Sequence, residues 1–361
     1  MEAYYWLALN MIPGVGPVLR RRLLDRFGSP QAVFEASLED LRRVEGVGER
    51  TAKAIKAIDP ISLGRREGER ARAMGIGVIP LGDDRYPENL RQIYDPPIVL
   101  YLKGDLCPED SLAVAVVGSR RSSPYGRQFA RRLARALASE GVTVVSGMAR
   151  GIDTEAHLGA LEAEGRTIAV LGSGMDRIYP PENRQLASQI AHHGAVLTEF
   201  PLGTPPERWN FPVRNRIISG LSLGVVVVEA SSRSGALITA SLALEQGRSV
   251  FAVPGYAGAV TSRGTHSLIR QGAKLVEDPE DVLEEILPQY EGKGETEKAG
   301  APEVSKEERM LVELLETGPM HIDELSRRVS LDAAKVSALL TQMEIKGIVL
   351  QMPGKVFTLV R

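Results

Sequence analysis

The stretch that begins at Trp209 combines charged and aromatic side chains that suit a nucleic-acid backbone. Arg214 and Arg216 each carry a planar, permanently charged guanidinium that can hold two phosphate oxygens. Trp209 and Phe211 offer flat faces on which unpaired bases can stack. Pro212 fits the first turn of a helix, whose free amides and positive dipole end attract anions. The stretch therefore predicts contact with a polyanion; the alternative is that its aromatics are core and its arginines a solvated surface.

Continuous β-branched runs alternate with amphipathic helices through the middle of the chain. This pattern is typical of an α/β fold, a Rossmann-like doubly wound parallel sheet with both faces covered. The predicted helices cover residues 128–139, 153–164, 181–192, 212–221 and 236–246. The predicted strands cover residues 113–117, 142–146, 167–171, 195–199, 225–229, 250–253 and 274–276, with an added edge strand at 98–102.

Serine- and glycine-rich loops follow the predicted strands. In an open parallel sheet, ligands bind beyond the carboxyl ends of the strands, so these loops form the candidate site. Glycines allow phosphate to approach the backbone, serines donate hydrogen bonds, and the arginines here, including Arg233, would give the edge a positive charge. The candidate DNA-binding residues are Gly118, Ser119, Arg120, Ser146, Gly147, Arg150, Gly172, Ser173, Gly174, Phe211, Arg214, Asn215, Arg216, Ser234 and Gly235.

The same loops lack the signatures of the common nucleotide cofactors. No Gly-x-Gly-x-x-Gly follows the first strand, the second strand ends at Ser146 rather than at an acid, and the Walker pattern is absent. No nucleophile with a dedicated base is evident, because His157 beside Asp153 is more often a packing or capping residue. Glu229 at the end of a buried strand can be catalytic or can fix an arginine. We therefore expect no cofactor, no metal and no catalysis.

Composition indicates a soluble, cytoplasmic protein whose overall neutrality conceals a basic surface. The 361 residues suffice for two or three domains and include 44 basic and 46 acidic residues. Residues 277–308 hold 12 acidic and 3 basic residues, which leaves a net charge of +7 on the rest. The single cysteine suits a reducing compartment, and the five histidines form no cysteine or histidine pairs at zinc-ligand spacing. Neither a leader nor a membrane-spanning run is expected.

Residues 1–75 are predicted to form a helical domain with two similar turns. Glycines 14 and 16 precede a basic helix at 17–26, and glycines 46 and 48 precede a helix at 49–58. The repeat resembles the helix-hairpin-helix motif of SAM-like domains, in which glycines bring backbone amides against a phosphate. Such contacts hold a backbone without reading its sequence. Tandem hairpins also pack helices or bind protein, so both roles stay open for this domain.

Three further segments complete the predicted organisation. Residues 76–287 form an extended Rossmann-like domain, and 288–303 form a flexible linker rich in Gly, Glu and Lys. Residues 304–361 resemble a winged helix, with helices at 307–316, 322–329 and 332–345 and a terminal hairpin. A DNA-binding wing usually has a clearly basic third helix. Because the net charge from 309 to 361 is only +1, a protein-contact or regulatory role is at least as well supported.

Taken together, the central loops resemble the DNA-processing protein A family, also called DprA or Smf. Their order and spacing are family-like over residues 110–255. The matching residues are Gly118-Ser119-Arg120, Tyr125-Gly126, residues 146–153, Ala156-His157, Gly172-Ser173-Gly174, Asp176, Tyr179-Pro180, Glu182-Asn183, Phe211-Pro212, residues 214–221, Ser234-Gly235, Thr239-Ala240 and residues 253–255.

The resemblance implies a protein that binds single-stranded DNA without sequence preference, protects it during natural transformation and loads the RecA recombinase onto it. It also implies a homodimer formed through the Rossmann-like domain, without a nucleotide cofactor or a catalytic reaction. In this family a Gly-Ser/Thr-Arg loop and basic residues of the Rossmann-like domain hold the strand. Those roles fall on Gly118, Ser119 and Arg120 and on Arg214, Asn215 and Arg216.

Two other functions remain open from the sequence. A related Rossmann-like enzyme that binds or hydrolyses a small nucleotide would explain the small glycine-lined loops, with Glu199, Glu229 and His157 nearby. Base released from nucleoside monophosphates would favour that enzyme over a DNA-binding protein. A scaffold with an unused crevice is the other alternative, and the expected exposure of the arginines argues against it.

Overall fold

The computed structural model describes residues 2–287, 305–316, 318–329, 331–346, 348–352 and 354–359. The chain divides after residue 292 into two compact units. The predicted linker at 288–303 lies outside the described residues. None of the helices in the described ranges is long and apolar enough to cross a bilayer.

The larger unit begins with a helical region in which two glycine turns open two helices. Gly14 and Gly46 have φ angles of +77° and +90°, a conformation that glycine adopts without strain. Gly16 and Gly48 are the N-caps of the second and fifth helices. The region comprises α1 (Glu2–Asn10), α2 (Pro17–Phe27), α3 (Pro30–Glu35), α4 (Leu38–Arg42), α5 (Glu49–Lys56) and α6 (Pro60–Ala73).

A nine-stranded sheet follows, in the order β1-β2-β6-β5-β4-β3-β7-β8-β9. Strands β3 to β9 are parallel, whereas β2 is antiparallel to both of its neighbours. All five residues of the third strand are buried, as expected for a strand covered on both faces. The strands are β1 (Gly77–Pro80), β2 (Val99–Gly104), β3 (Ala113–Val117), β4 (Thr143–Ser146), β5 (Thr167–Val170), β6 (Gly194–Thr198), β7 (Gly224–Val227), β8 (Ser249–Ala252) and β9 (Lys274–Leu275).

Helices cover both faces of the sheet, which confirms the predicted doubly wound fold. One face packs against α8 (Pro124–Ser139), α9 (Ile152–Glu162), α10 (Arg184–His193) and α14 (Glu280–Ile286). The other packs against α7 (Glu88–Arg91), α11 (Asn210–Leu221), α12 (Gly235–Glu245) and α13 (Arg263–Arg270). Short 3₁₀ turns lie at Pro108–Ser111, Pro181–Asn183 and Val260–Ser262.

The strand predicted at 98–102 to form the edge of the sheet is instead the second strand from the edge. It exists as β2, but β1 pairs with it and forms the true edge. The first strand was missed because it has only four residues and ends in a proline. Proline lacks a backbone N–H and is tolerated at a sheet edge, where one side of the strand needs no partner.

Buried polar contacts join the helical region to the sheet. The Glu67 carboxylate on α6 is 1% exposed, and its Oε1 accepts hydrogen bonds from the Leu202 amide at 2.7 Å and the Tyr101 hydroxyl at 3.1 Å. Asn10, at the end of α1, donates to the Glu199 carbonyl at 2.9 Å. Glu199 and Leu202 lie in the segment that leads from β6 to α11. The helical region therefore fixes the approach to α11.

Within its described residues, the smaller unit has three helices and a three-stranded sheet in the order β10-β12-β11, which confirms the predicted winged helix. Leu311, Leu325, Leu340 and Phe357 belong to its core. Its elements are α15 (Lys306–Leu315), β10 (Met320–His321), α16 (Ile322–Val329), α17 (Ala333–Ile345), β11 (Val349–Met352) and β12 (Val356–Leu359).

Glu67→Leu is expected to lower the free energy of unfolding by about 1–3 kcal/mol, because the Leu202 amide and the Tyr101 hydroxyl lose their buried acceptor. Glu67→Gln keeps an acceptor oxygen and should cost less. Glu69→Leu makes the same change at an exposed position of α6 and serves as the control. Urea unfolding measures all three, and equal losses for Glu67→Leu and Glu67→Gln would contradict the role given to the acceptor.

Candidate nucleic-acid interface

The carboxyl ends of the parallel strands bring five loops to one edge of the sheet. The strand order reverses beside β3, which lies between β4 and β7. A doubly wound sheet opens a crevice at such a point, because the connections on either side of it run to opposite faces. The loops that meet there follow β3, β4, β5, β7 and β8, at residues 118–123, 147–151, 171–183, 228–234 and 253–262. The first turn of α11 lies against this edge.

Three side chains from three segments form a surface that we call the aromatic platform: Arg120, Phe211 and Tyr179. The Arg120 guanidinium lies over the Phe211 ring, 4.9 Å from its centroid. The Tyr179 ring is tilted against Phe211 with centroids 5.9 Å apart, and Tyr179 is 37% exposed. Phe211 fits closely because Gly172 lies beneath it, where a Cβ would come within 2.8 Å of the ring. The platform offers a cation and aromatic faces to solvent at one point.

Arg214 lies beneath the platform rather than on it. Its side chain is 3% exposed, and its Nη1 donates to the Gly147 carbonyl at 2.7 Å and to the Val170 carbonyl. A Cβ on Gly147 would lie 2.3 Å from the guanidinium, so only glycine leaves room for it. Burial lowers the pKa of Arg214 to about 10, and the nearby Asp153 carboxylate opposes this shift. Arg214 therefore joins the ends of β4 and β5.

Arg216 is also an internal residue. It is 4% exposed, its Nη2 lies 2.5 Å from Oε2 of Glu199 and its Nε lies 3.3 Å from Oδ2 of Asp95. Asn215 between the two arginines is buried and donates to the Gly235 carbonyl at 3.4 Å. The expectation that Arg214 and Arg216 present free guanidiniums to phosphate is therefore corrected: both are enclosed by partners of the protein's own.

The remaining candidates divide into surface and interior positions. Gly118 and Ser119 are partly exposed beside the exposed Arg120. At the start of α12, Ser234 is the N-cap, with its Oγ accepting from the Ala236 amide at 3.3 Å. Gly235 next to it is exposed. The interior positions are Ser146, Gly147, Gly172, Ser173 and Gly174.

Two of those interior serines have partners inside the fold. Ser146 donates to the Val116 carbonyl at 2.7 Å, and Ser173 donates to the Arg177 carbonyl at 2.7 Å. Arg150 is exposed but forms an ion pair with Glu182. That pairing raises the pKa of Arg150 and lowers the pKa of Glu182. An incoming phosphate would compete with Glu182 for this arginine.

Asp153 and His157, near the carboxyl edge of the sheet, already have hydrogen-bond partners inside the protein. His157 is fully buried with its Nδ1 2.7 Å from the Thr167 hydroxyl, and burial, with the charge of Arg214, lowers its pKa to about 3. Burial raises the pKa of Asp153, although Arg214 acts in the opposite direction. The Asp153 carboxylate accepts a hydrogen bond from the Ala149 amide at 3.2 Å. Both residues have structural partners, and no cluster suited to a metal ion is present within the described ranges.

Glu229 fills the place at which many sheets of this class hold a phosphate. Its carboxylate accepts from the Ser123 amide at 2.9 Å and the Ser123 hydroxyl at 2.5 Å, and Ser123 is the N-cap of α8. The N-terminus of the helix after the first central strand is the usual phosphate site of a Rossmann-like crevice. Here the protein's own carboxylate occupies it.

The predicted DNA-binding residues include Phe211 but not Tyr179, and both Trp209 and Phe211 were expected to offer faces for stacking. Tyr179 was visible only as part of a Tyr-Pro pair in the third loop. Trp209 is 68% exposed and makes no ring contact with any residue that the structure describes. Phe211, two residues on, contacts both Arg120 and Tyr179.

Comparison with known proteins gives matches over nearly the whole chain. The family described as DNA recombination-mediator protein A matches residues 77–287. The DprA winged helix domain matches residues 295–355, and a SAM-like helix-hairpin-helix tandem matches residues 7–57. Protein Smf of Synechocystis is 36% identical over 98% of each chain. The DNA processing protein DprA of Bacillus subtilis is 47% identical over 60% of this chain and 73% of its own.

Two solved structures are similar to this chain. DNA processing protein A of Streptococcus pneumoniae has a TM-score of 0.69 and 38% identity, covering 78% of this chain and 97% of its own. DNA processing protein A of Helicobacter pylori has a TM-score of 0.54 and 32% identity, covering 60% of this chain and 97% of its own. The second structure was described for its single-stranded DNA binding mode.

Arg214→Ala is expected to lower the thermal unfolding midpoint by several degrees, whereas Arg120→Ala should leave it nearly unchanged. Removing Arg214 orphans the buried carbonyls of Gly147 and Val170 at a cost of about 1–3 kcal/mol for each group, while surface changes typically cost about 0.5 kcal/mol or less. Differential scanning calorimetry of the two variants provides the measurement. A drop of equal size for both would show that Arg214 is not the internal tie described above.

Proposed function

Because the chain belongs to the DNA recombination-mediator protein A family, we propose that it binds single-stranded DNA without sequence preference at the aromatic platform. The observation that carries the proposal is the stack of Arg120 on Phe211 beside Tyr179, exposed at the carboxyl edge of the sheet. Unpaired bases stack on such faces whatever their identity, because every base has a π-face. Guanidinium groups bind phosphates, which are the same in every sequence.

The arrangement supports a preference for single strands over duplex. The Phe211 ring is only partly exposed and contacts both Arg120 and Tyr179, so a base must leave its own stack to reach it. Bases of a duplex are paired and stacked, whereas those of a single strand can be splayed onto aromatic side chains. Discrimination would then come from the accessibility of the base faces rather than from a reading of base edges.

We assign two kinds of role to the candidate residues. Gly118, Ser119, Arg120 and Phe211 would contact the strand, together with Ser234 and Gly235 at the open N-terminus of α12 and with Arg150 after release from Glu182. The buried set would position them. It comprises Ser146, Gly147, Gly172, Ser173, Gly174, Arg214, Asn215 and Arg216.

A nucleotide-cleaving enzyme is less well supported. The phosphate position at the start of α8 is taken by Glu229, and His157 is enclosed within the fold. A general base must reach the proton that it abstracts, and a fully buried imidazole bonded to Thr167 does not reach the loop edge. We therefore propose a binding function without catalysis.

Arg120→Ala and Phe211→Ala are each expected to weaken binding of an oligothymidylate about 10- to 100-fold, since a charge-assisted contact or a stacked base contributes about 1–3 kcal/mol. Arg135→Ala removes an exposed arginine near the C-terminal end of α8, the helix that follows the loop of Arg120, and serves as the matched control. Fluorescence anisotropy gives the dissociation constants. The salt concentration is kept fixed because phosphate contacts make the affinity depend on it.

Two results would contradict the assignment. Unchanged affinity in both platform variants would move the strand elsewhere, and equal losses in Arg120→Ala and Arg135→Ala would show that only net charge matters. In the Arg120 variant, the slope of log affinity against log salt concentration should also fall by the amount expected for about one lost phosphate contact. The Phe211 variant should leave that dependence unchanged.

We further propose that the protein is a cytoplasmic homodimer, joined through the Rossmann-like domain, that protects incoming strands and loads RecA onto them during natural transformation. Family membership supports these roles.

The loading role predicts that the protein accelerates RecA filament formation on a strand already coated with single-strand-binding protein. RecA ATP hydrolysis, which depends on filament formation, is the measurement, and the Arg120→Ala protein is the control that retains the fold. If the protein binds the strand normally but does not accelerate filament formation, the loading role is rejected and the proposed binding function stands.

A further inference from the structure

A second pair of exposed aromatic rings lies at the same edge of the sheet. Tyr125 is in the first turn of α8, directly after the loop that carries Arg120, and is 50% exposed. Tyr256 follows β8 and is 74% exposed. Neither residue belongs to the aromatic platform, and neither is required by the packing of the core. What distinguishes them from other exposed aromatic residues is that both follow parallel strands of the sheet at this one edge.

The fold brings these two tyrosines close together. Only β7 separates β3 from β8 in the sheet, and neighbouring strands lie about 5 Å apart, so the two loops emerge about 10 Å from each other. Their side chains are near enough to interact electrostatically. Partial burial raises the pKa of Tyr125, and the Tyr256 hydroxyl acts in the same direction while Arg132 opposes it.

Tyr125 is held by the helix from which it projects. Its ring packs against Phe129 one turn later, with centroids 6.1 Å apart, and the Arg132 guanidinium covers Phe129 at 5.3 Å from the ring centroid. A ring fixed in this way loses little conformational entropy when a base stacks on it.

Two exposed cations lie in loops at the same edge of the sheet. Arg121 and Arg233 are exposed, and neither forms an ion pair with a residue in the described ranges. Arg121 directly follows Arg120, and its amide donates to the Ser119 hydroxyl at 3.1 Å, which orders the loop. Arg233 lies in the loop after β7, the strand between those of the two tyrosines. Free guanidiniums along such a path suit successive phosphates.

We propose that Tyr125 and Tyr256 form a second stacking site for the same single strand, reached across Arg121 and Arg233. The end of the platform that rests on Gly172 follows β5, and four strand spacings separate β5 from β8, so this end lies about 19 Å along the edge from the loop of Tyr256. A strand that fills only the platform would not reach Tyr256, whereas a longer one would. This inference rests on the proposed function and extends it from one contact point to a track.

The test compares binding of oligothymidylates about 4 and about 16 nucleotides long, a range that covers typical single-strand sites. Tyr256→Ala should bind the short oligomer like the unmodified protein and the long one about tenfold more weakly. Tyr256→Phe should restore the long-oligomer affinity because it keeps the ring. Tyr94→Ala removes an equally exposed tyrosine, at 75% exposure, away from the proposed track and is the matched control.

Photo-crosslinking gives a readout that a change of subunit assembly would not imitate. Oligomers about 16 nucleotides long that carry 5-iododeoxyuridine at successive positions should form adducts on Tyr256 or Tyr125, mapped by mass spectrometry. The short oligomer should form adducts only at the platform. Adducts of the long oligomer confined to Phe211 and Tyr179 would overturn the second site.

The two proposals fail in different ways. If the unmodified protein binds neither oligomer, the proposed function is wrong. If it binds both, Phe211→Ala weakens both and Tyr256→Ala weakens neither, the second stacking site is wrong and the platform stands. A loss confined to the long oligomer, with adducts on the tyrosines, supports the track.

Discussion

A buried guanidinium ties together the strand ends on which the candidate interface is built. Arg214 bonds the carbonyl groups of Gly147 and Val170, which belong to the ends of neighbouring strands. Burying a charge costs several kcal/mol unless surrounding dipoles and opposite charges compensate it, and here two carbonyls and the Asp153 carboxylate do so. Phe211 is one turn earlier on the same helix. Fixing the guanidinium therefore fixes the ring, and the exposed platform depends on a charge that is shielded from solvent.

The occupied phosphate position at α8 is consistent with the proposed binding of a polymer rather than a mononucleotide. A helix N-terminus at the crevice floor attracts a single phosphate deep into the fold, and such a site selects a small ligand that can enter it. Glu229 fills this position with a carboxylate bonded to Ser123. The residues proposed to contact the strand lie on the rim of the crevice, where a polynucleotide can pass without inserting one of its ends. The same carboxylate holds the loop that presents Arg120.

The sequence predicted the fold more fully than the site, for a physical reason. Strand β3 occupies the predicted residues 113–117, and α12 is shifted by one residue from 236–246 to Gly235–Glu245, because periodicity and β-branched runs are local properties. The partners of Arg214 and Arg216 come from other loops, such as Gly147 and Glu199, and no local pattern reveals them. Residue type showed that the charges were present but not that the fold would enclose them. For the same reason the sequence predicted a stacking face at Trp209 as well as at Phe211, although the platform contains Phe211 and not Trp209.

The arginines show why a count of charges does not describe a binding surface. Arg214 and Arg216 stabilise the interior, and Arg150 is paired with Glu182. Arg120 and Arg121 remain free of ion pairs within the described residues. Electrostatic attraction to DNA grows with the number of phosphates neutralised, so a few free guanidiniums give only part of the affinity. In the proposed function the aromatic rings supply a further part, and because stacking needs unpaired bases, that part favours single strands over duplex.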